Sequence, residues 1–220
     1  MEINKAFITI GLATALLQMP VAADAQHAGS ACCDHGNKTC QQNPLLQKST
    51  LPFGAPDFSR IKETDYLPAI EAAVKQQREN IQKIVDNKAK PTFANTILAY
   101  ENSGVLLENV SNVFFGLCSA HKTPVIADTE KKVTPLLTDL DNEISFNQKL
   151  FERIKYVYDH EYKSLTGEDQ RLTEVIYKGF VRSGAMLSAD KMQRMKQINS
   201  RISDLQQQWG NLLPEATNNA

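Results

Sequence analysis

The sequence predicts an all-α fold, a multi-helix bundle, and three observations carry that prediction. From residue 65 onward, apolar residues recur at three- and four-residue steps in segment after segment, the spacing of one face of a helix. Most of these segments begin at a Thr, Ser, Asp or Asn suited to a helix N-cap, or end near a Gly or Pro. No run of alternating β-branched residues bounded by turns occurs anywhere in the 220 residues.

The chain opens on a different composition. Ala6 to Leu17 is a mostly apolar run, too short to span a bilayer, with Lys5 before it and Pro20 after it. Ala23-Asp24-Ala25 supplies an A-x-A cleavage site. Residues 1–25 therefore read as a secretory signal peptide cut before Gln26, which makes the mature protein exported, periplasmic or extracellular. Residues 26–42 read as a flexible polar linker. It holds Cys32, Cys33 and Cys40 with His27 and His35. Thiolate and imidazole can bind zinc or copper, but this spacing matches no standard zinc pattern. The plainer reading is one local disulfide with an odd thiol left over. Gly29 stands where a lipobox would have Leu, which argues against a lipid anchor at Cys32.

Residues 43–220 form the helical body. Its first part, 43–60, contains Pro44, Pro52, Gly54 and Pro56 and reads as an extended, Pro-rich segment lying on the helices. Leu51, Phe53 and Phe58 are expected to be buried singly along it. Thr64 or Asp65 then caps a helix running to about Asn87. Its inner face is Tyr66, Ile70, Val74, Ile81 and Ile84 or Val85, and Gln76, Gln77, Arg78 and Glu79 form a solvated face.

Pro91 to Cys118 is the central stretch. Thr92 occupies an N-cap position, and Phe93, Ile97, Tyr100, Leu107, Val110, Phe114 and Leu117 form its stripe. One continuous helix here would be roughly 40 Å long. Leu98, Val105, Leu106 and Val113 widen its apolar surface, so it is expected to be covered on more than one side. Gly104 within it points to a close helix crossing.

Four further helices follow. Thr123 caps the next, with Pro124 at its first position and Pro135 inside it. Its stripe is Ile126, Thr129, Val133, Leu136, Leu140 and Ile144. A helix from about Asn147 to Tyr162 buries Leu150, Phe151, Ile154, Val157 and Tyr158. Thr166 with Asp169 resembles a capping box, and the helix after it buries Leu172, Val175, Ile176 and Phe180 before ending near Gly184. Ser188 or Asp190 starts the last helix, whose near-heptad seam is Met195, Ile198, Ile202, Leu205, Trp209 and Leu212. Trp209 reads as a core anchor.

Particular motifs resemble a known family. Pro91-Thr92-Phe93-x-Asn95-Thr96-Ile97, Ser103-Gly104 and Val113-Phe114-Phe115 resemble the N-terminal region of the thimet-oligopeptidase-like zinc metallopeptidases. The resemblance is nearest to their bacterial peptidyl-dipeptidase, or dipeptidyl carboxypeptidase, branch. Asn43-Pro44-Leu45-Leu46, Leu51-Pro52-Phe53, Pro56-Asp57-Phe58, Tyr66-Leu67-Pro68-Ala69 and Phe180-Val181-Arg182-Ser183-Gly184-Ala185 fit the same branch. Ala94 departs from it, since the family usually has Glu there. The resemblance implies an all-helical wall of a deep substrate channel, peptide substrates and zinc in the full-length family, and a C-terminal catalytic region that this sequence does not contain.

The residues themselves offer little chemistry. Net charge is −1, and removing residues 1–25 makes the mature chain formally neutral. Lys131-Lys132 and Lys191 to Lys196 read as solvated faces, so nothing indicates nucleic acid or a membrane surface after signal cleavage. Phosphate-binding glycine loops and G-x-S-x-G are absent from the sequence. The family's zinc site needs H-E-x-x-H on a helix, where two imidazoles one turn apart hold the metal and the Glu activates water. The four histidines are His27, His35, His121 and His160. Only His160-Glu161 begins that pattern, and Ser164 stands where its second His is required. His160-Glu161 therefore reads as a solvated helix end. No catalytic, cofactor-binding or metal-binding residue is assigned in this chain. Cys118 reads as a small buried hydrophobe. The expected function is the non-catalytic part of such a peptidase, inactive alone. The alternatives are a freestanding exported helical module that binds peptides or a partner subunit, and a structural bundle without a ligand.

Overall fold

A computed structural model describes residues 43–218, with side chains of the last helix described as far as Leu212 except for Asn211. The expected signal peptide and Cys/His linker lie outside the described residues. Within them the protein is helical and no strand is present. The principal helices are α1 (Tyr66–Asp86), α3 (Val105–Ala120), α4 (Pro124–Ser145), α5 (Gln148–His160), α6 (Gly167–Ser183) and α7 (Ala189–Asn218). A single α-helical turn, α2 (Ala99–Glu101), lies in the central stretch. Among the described residues no helix is long and apolar enough to cross a membrane.

α1 is the hub, touching α3, α4 and α5. Its expected inner face holds: Tyr66, Ile70, Val74, Ile81 and Ile84 are buried, and Ala69 and Ala73 complete the stripe. Short alanines at those two positions let neighbouring backbones approach closely. Asp65 stands at the N-cap, but its carboxylate accepts from the Lys62 backbone N–H at 2.8 Å rather than from α1.

The central stretch is not one continuous helix. Phe93–Leu98 forms a π-turn, α2 follows, and Asn102–Gly104 is a 3₁₀ turn before α3. The side chains explain the irregularity. Asn102 Nδ2 donates to the Leu98 carbonyl at 2.9 Å, and Ser103 Oγ donates to the Tyr100 carbonyl at 2.6 Å. Such bonds compete with the regular helical ladder. Gly104 then adopts φ −108°, ψ 4°, off the helical path. The close crossing expected at Gly104 is present: a Cβ there would lie 2.7 Å from Gln77 Nε2 on α1. Gln77 is therefore packed rather than solvated, and Asn80 Nδ2 donates to the Ser103 carbonyl beside it at 3.2 Å. The outer side is uncovered, since Leu98 and Val105 are exposed.

Thr123 caps α4 by accepting from the Ile126 N–H at 3.2 Å, and the helix runs on through an exposed Pro135. The expected α4 stripe is buried or half-buried throughout. Asn147 caps α5 through the Leu150 N–H at 3.0 Å. Between α5 and α6 lies an aromatic layer. Phe151 stacks with Tyr177 and Phe180 at 6.0 and 6.2 Å between centroids, and Tyr158 stacks on Tyr177 at 4.0 Å.

Three further expectations fail. Thr166 makes no side-chain cap to α6, and on that helix Val175 is exposed while Thr173 is buried, its hydroxyl bonded to the Asp169 carbonyl at 2.9 Å. A hydroxyl satisfied within its own helix can be buried where apolar periodicity alone selects Val. In the 43–60 segment, Leu51, Phe53 and Phe58 are all exposed. That segment is pinned at its start, where Asn43 Nδ2 donates to the Asp65 carbonyl at 2.8 Å, and by Leu45, Leu46 and Ile61 against the core. Between those points it folds on itself, as in the 3₁₀ turn Pro52–Gly54, where Phe53 takes φ 61°. The third failure is Trp209 on α7, which is exposed rather than a core anchor.

Candidate functional site

The motif that carried the family resemblance is assembled into one polar knot. Thr92 Oγ1 accepts from the Asn95 N–H at 3.3 Å, and Asn95 Oδ1 accepts from the Thr92 N–H at 3.0 Å. Asn95 Nδ2 reaches the Lys90 carbonyl at 2.9 Å. Arg153 arrives from α5 and binds the same knot. Its Nη1 donates to the carbonyls of Asn87 at 2.8 Å and Ala89 at 3.3 Å; its Nη2 donates to Asn95 Oδ1 at 3.1 Å and Thr96 Oγ1 at 3.4 Å. Thr96 itself is fully buried. One planar guanidinium thus gathers the loop after α1, the start of the central stretch and α5. Burial pulls the Arg153 pKa below its ordinary value. Beside it, Val85, Asp86, Lys88, Pro91, Lys149, Glu152 and Tyr156 line an open hollow of about 450 Å³. Its charges are mixed in sign, and the Arg153 donors with partners are turned to backbone and to Asn95 and Thr96.

His160-Glu161 is only partly a solvated helix end. His160 is exposed, stacked on Tyr156 at 4.1 Å, with Nδ1 2.8 Å from the Tyr156 carbonyl. Glu161 is half-buried and accepts from the Phe93 backbone N–H at 2.8 Å. It serves the start of the central stretch. α5 ends at His160, and residues 161–164 form a turn in which Ser164 Oγ donates to the Glu161 carbonyl at 2.7 Å. Position 164 therefore does not share a helical face with His160. Among the described residues, no group of three or more His, Cys, Asp or Glu side chains is clustered as for a metal ion. Cys118 is buried, and burial with the nearby Glu130 pushes its thiol up to about 11.

The most unusual surface is on α7. This helix lies antiparallel on α4, but through polar side chains. Asn199 Nδ2 donates to Asn142 Oδ1 at 2.7 Å, and the hydroxyls of Ser203 and Thr138 are 2.9 Å apart. Lys196 Nζ sits 5.5 Å over the Phe146 ring. Met192, Met195, Ser200 and Gln207 are half-buried around them. The apolar seam is turned away. Ile198 and Ile202 are 37% exposed, Leu205 45%, Leu212 58% and Trp209 69%. Trp209 is thus a surface residue, not a core anchor. Apolar periodicity identified the seam but could not tell which face of α7 would meet α4, because Asn142 and Thr138 offered polar partners there.

No protein-family model matches the chain. Comparison with curated proteins gives clear relatives. The chain is 38% identical over 176 residues to dipeptidyl carboxypeptidase of Salmonella typhimurium, covering 80% of this chain and 26% of that protein. It is 37% identical over 172 residues to dipeptidyl carboxypeptidase of Escherichia coli, covering 78% of this chain and 25% of that protein. Oligopeptidase A of Escherichia coli is 26% identical over 176 residues, covering 80% of this chain and 25% of the relative. The chain thus spans about a quarter of the length of the curated relatives it matches. Across most of its helical body it is homologous to a part of the dipeptidyl carboxypeptidases and of oligopeptidase A.

Proposed function

We propose that this chain is the non-catalytic helical part of a zinc peptidyl-dipeptidase, with the zinc-binding and catalytic residues in a region this sequence does not include. In that role the bundle forms a wall of the substrate channel, admits short or extended peptides, and depends on the catalytic region for hydrolysis. The observation that carries the reading is the similarity itself: 38% identity across 80% of this chain, matched to only 26% of the relative. The architecture is in keeping with it. The motif around Thr92, Asn95 and Thr96 that carries the resemblance is consumed in capping and in binding Arg153, so it builds shape rather than chemistry. The sequence also lacks H-E-x-x-H.

A second reading is a freestanding exported module that binds peptides or a partner subunit, and the exposed α7 seam favours it. Coding DNA beyond the Ala220 codon separates the two. A frame, continuous or shifted, that reaches H-E-x-x-H is expected. A stop followed directly by an unrelated gene would replace the first reading with the second. We further propose export to the periplasm or outside the cell, on the strength of the apolar run and Ala23-Asp24-Ala25. Mass spectrometry of the protein from exported fractions should find Gln26 at its N-terminus; Met1 retained there would overturn this.

A further inference from the structure

We infer that the Asn142–Asn199 pair is a register lock: it sets the position of α7 along α4 against a slide of one helical turn. This conformational device rests on the two facing helix surfaces and holds under either reading above.

The contact between the helices is a polar ladder. Asn199 Nδ2 donates to Asn142 Oδ1 at 2.7 Å, and the hydroxyls of Ser203 and Thr138 meet at 2.9 Å. Thr138 Oγ1 gives its proton to the Thr134 carbonyl at 3.0 Å, so Ser203 is the donor in this second rung. The rungs are four residues apart on both helices and run in opposite directions. By the same count Gln207 stands opposite Thr134. There the ladder stops, because Gln207 Nε2 is buried without a hydrogen-bond partner.

A repeat of four on both sides makes one-turn slips the natural competitors. In one slip Met195 replaces Asn199 opposite Asn142, and the buried Asn142 amide loses its partner. In the other, α7 moves one turn toward its own N-terminus. Ser203 then meets Asn142 and Gln207 meets Thr138, so the stranded Gln207 amide gains a partner. The connection 184–188 and the exposed first residues of α7, Ala189 to Lys191, take up the shift. Two rungs survive this second slip, and what opposes it is Asn199. Its amide would come to face the buried ring of Phe146, which offers no oxygen. A buried amide without a partner is strongly disfavoured, whereas an apolar side chain packs about equally well at either position. Asn142 therefore rejects the first slip and Asn199 the second. Specifying register at some cost in stability is the best-attested use of a buried asparagine.

A distance along the helix axes tests this. Lys132 on α4 and Gln193 on α7 are both exposed and take spin labels through Lys132→Cys and Gln193→Cys. The full chain is used, with Cys32→Ser, Cys33→Ser, Cys40→Ser and Cys118→Ala. Electron–electron double resonance should find one distance when Asn142 and Asn199 are both present. Asn199→Leu should add a second population in at least a quarter of the molecules, longer by about 6 Å, the rise of four residues. Asn199→Ala, which crowds neither position, should show the same second distance. Asn199→Asp is isosteric and can accept from the Asn142 amide turned over, so it should keep the single parent distance. The parent distance alone in both Asn199→Leu and Asn199→Ala overturns the inference, since other contacts would then set the register. A broad distribution without the second discrete distance also overturns it, because the pair would then hold α7 on without fixing its position. So does a second population in Asn199→Asp equal to that in Asn199→Leu.

Discussion

The backbone N–H of Phe93 donates a 2.8 Å hydrogen bond to Oε2 of Glu161, sixty-eight residues away in sequence. The first turn of a helical segment leaves N–H groups without internal partners. Here Thr92 satisfies Asn95, and Glu161 satisfies Phe93 from the far end of α5. Ala94 puts no carboxylate of its own into this first turn, and Glu161 brings one to it from outside. A negative charge there also meets the positive end of the helical dipole.

Glu161→Ala should therefore cost about 1–2 kcal/mol, in the range of a lost cap or a charge-assisted hydrogen bond. Glu161→Gln keeps an acceptor oxygen and should cost less than half as much. Urea unfolding, followed by circular dichroism, reads both. Equal losses in the two variants would show that the charge rather than the bond matters.

Arg153 is the other fixed point of the same region. Its two terminal nitrogens reach four oxygens on two stretches of chain. A lysine ammonium cannot span that fork. Arg153→Lys should destabilise the protein by about 2 kcal/mol, since carbonyls of Asn87 and Ala89 lose their donor. Hydrogen exchange should localise the loosening to residues 87–97. Uniform loosening across α1 and α4 would contradict the assignment.

High pH should weaken the fold through two groups. Burial, first, and then Glu130 raise the Cys118 thiol from 9.0 to about 11. Burial, with Asp141 and Glu101 adding, raises the Tyr100 hydroxyl from 10.0 to about 12. Both folded-state values lie above the unfolded ones. The stabilisation is therefore complete below about pH 9 and is lost as pH rises through 11 for Cys118 and 12 for Tyr100, because the unfolded chain sheds these protons first. The urea midpoint should fall from pH 9 to 11, and Cys118→Ala should flatten that slope. A parallel slope in the variant would exclude Cys118 as a cause.

Sequence periodicity was most informative where one face of a helix meets the core. Tyr66, Ile70, Val74 and Ile81 of α1, and Ile126, Val133, Leu140 and Ile144 of α4, are buried as their spacing requires. Local capping chemistry was legible at Thr92 and Thr123, where a side chain reaches its own helix. Long-range polar contacts were not. Nothing in the sequence near His160 reveals that Glu161 serves Phe93, or that Asn95 collects Arg153. Nor does an apolar seam announce its own exposure. α7 docks through Asn199 and Ser203 because α4 presents Asn142 and Thr138, and that choice lies between two helices rather than within either. The motif from Pro91 to Ile97 was visible as a pattern, but its structural role became readable only once its hydrogen bonds were placed.

The central claim is that this helical body shapes a peptidase without performing its chemistry. The direct measurement is release of C-terminal dipeptides from a short unblocked peptide by the purified chain, with zinc supplied, together with metal content after dialysis. A chain beginning at Asn43 removes the Cys/His tract from the metal count. The account predicts no release above the buffer rate and no tightly held zinc in either form. Dipeptide release that is abolished by a chelator, with one zinc per chain lost in His160→Ala, would contradict it.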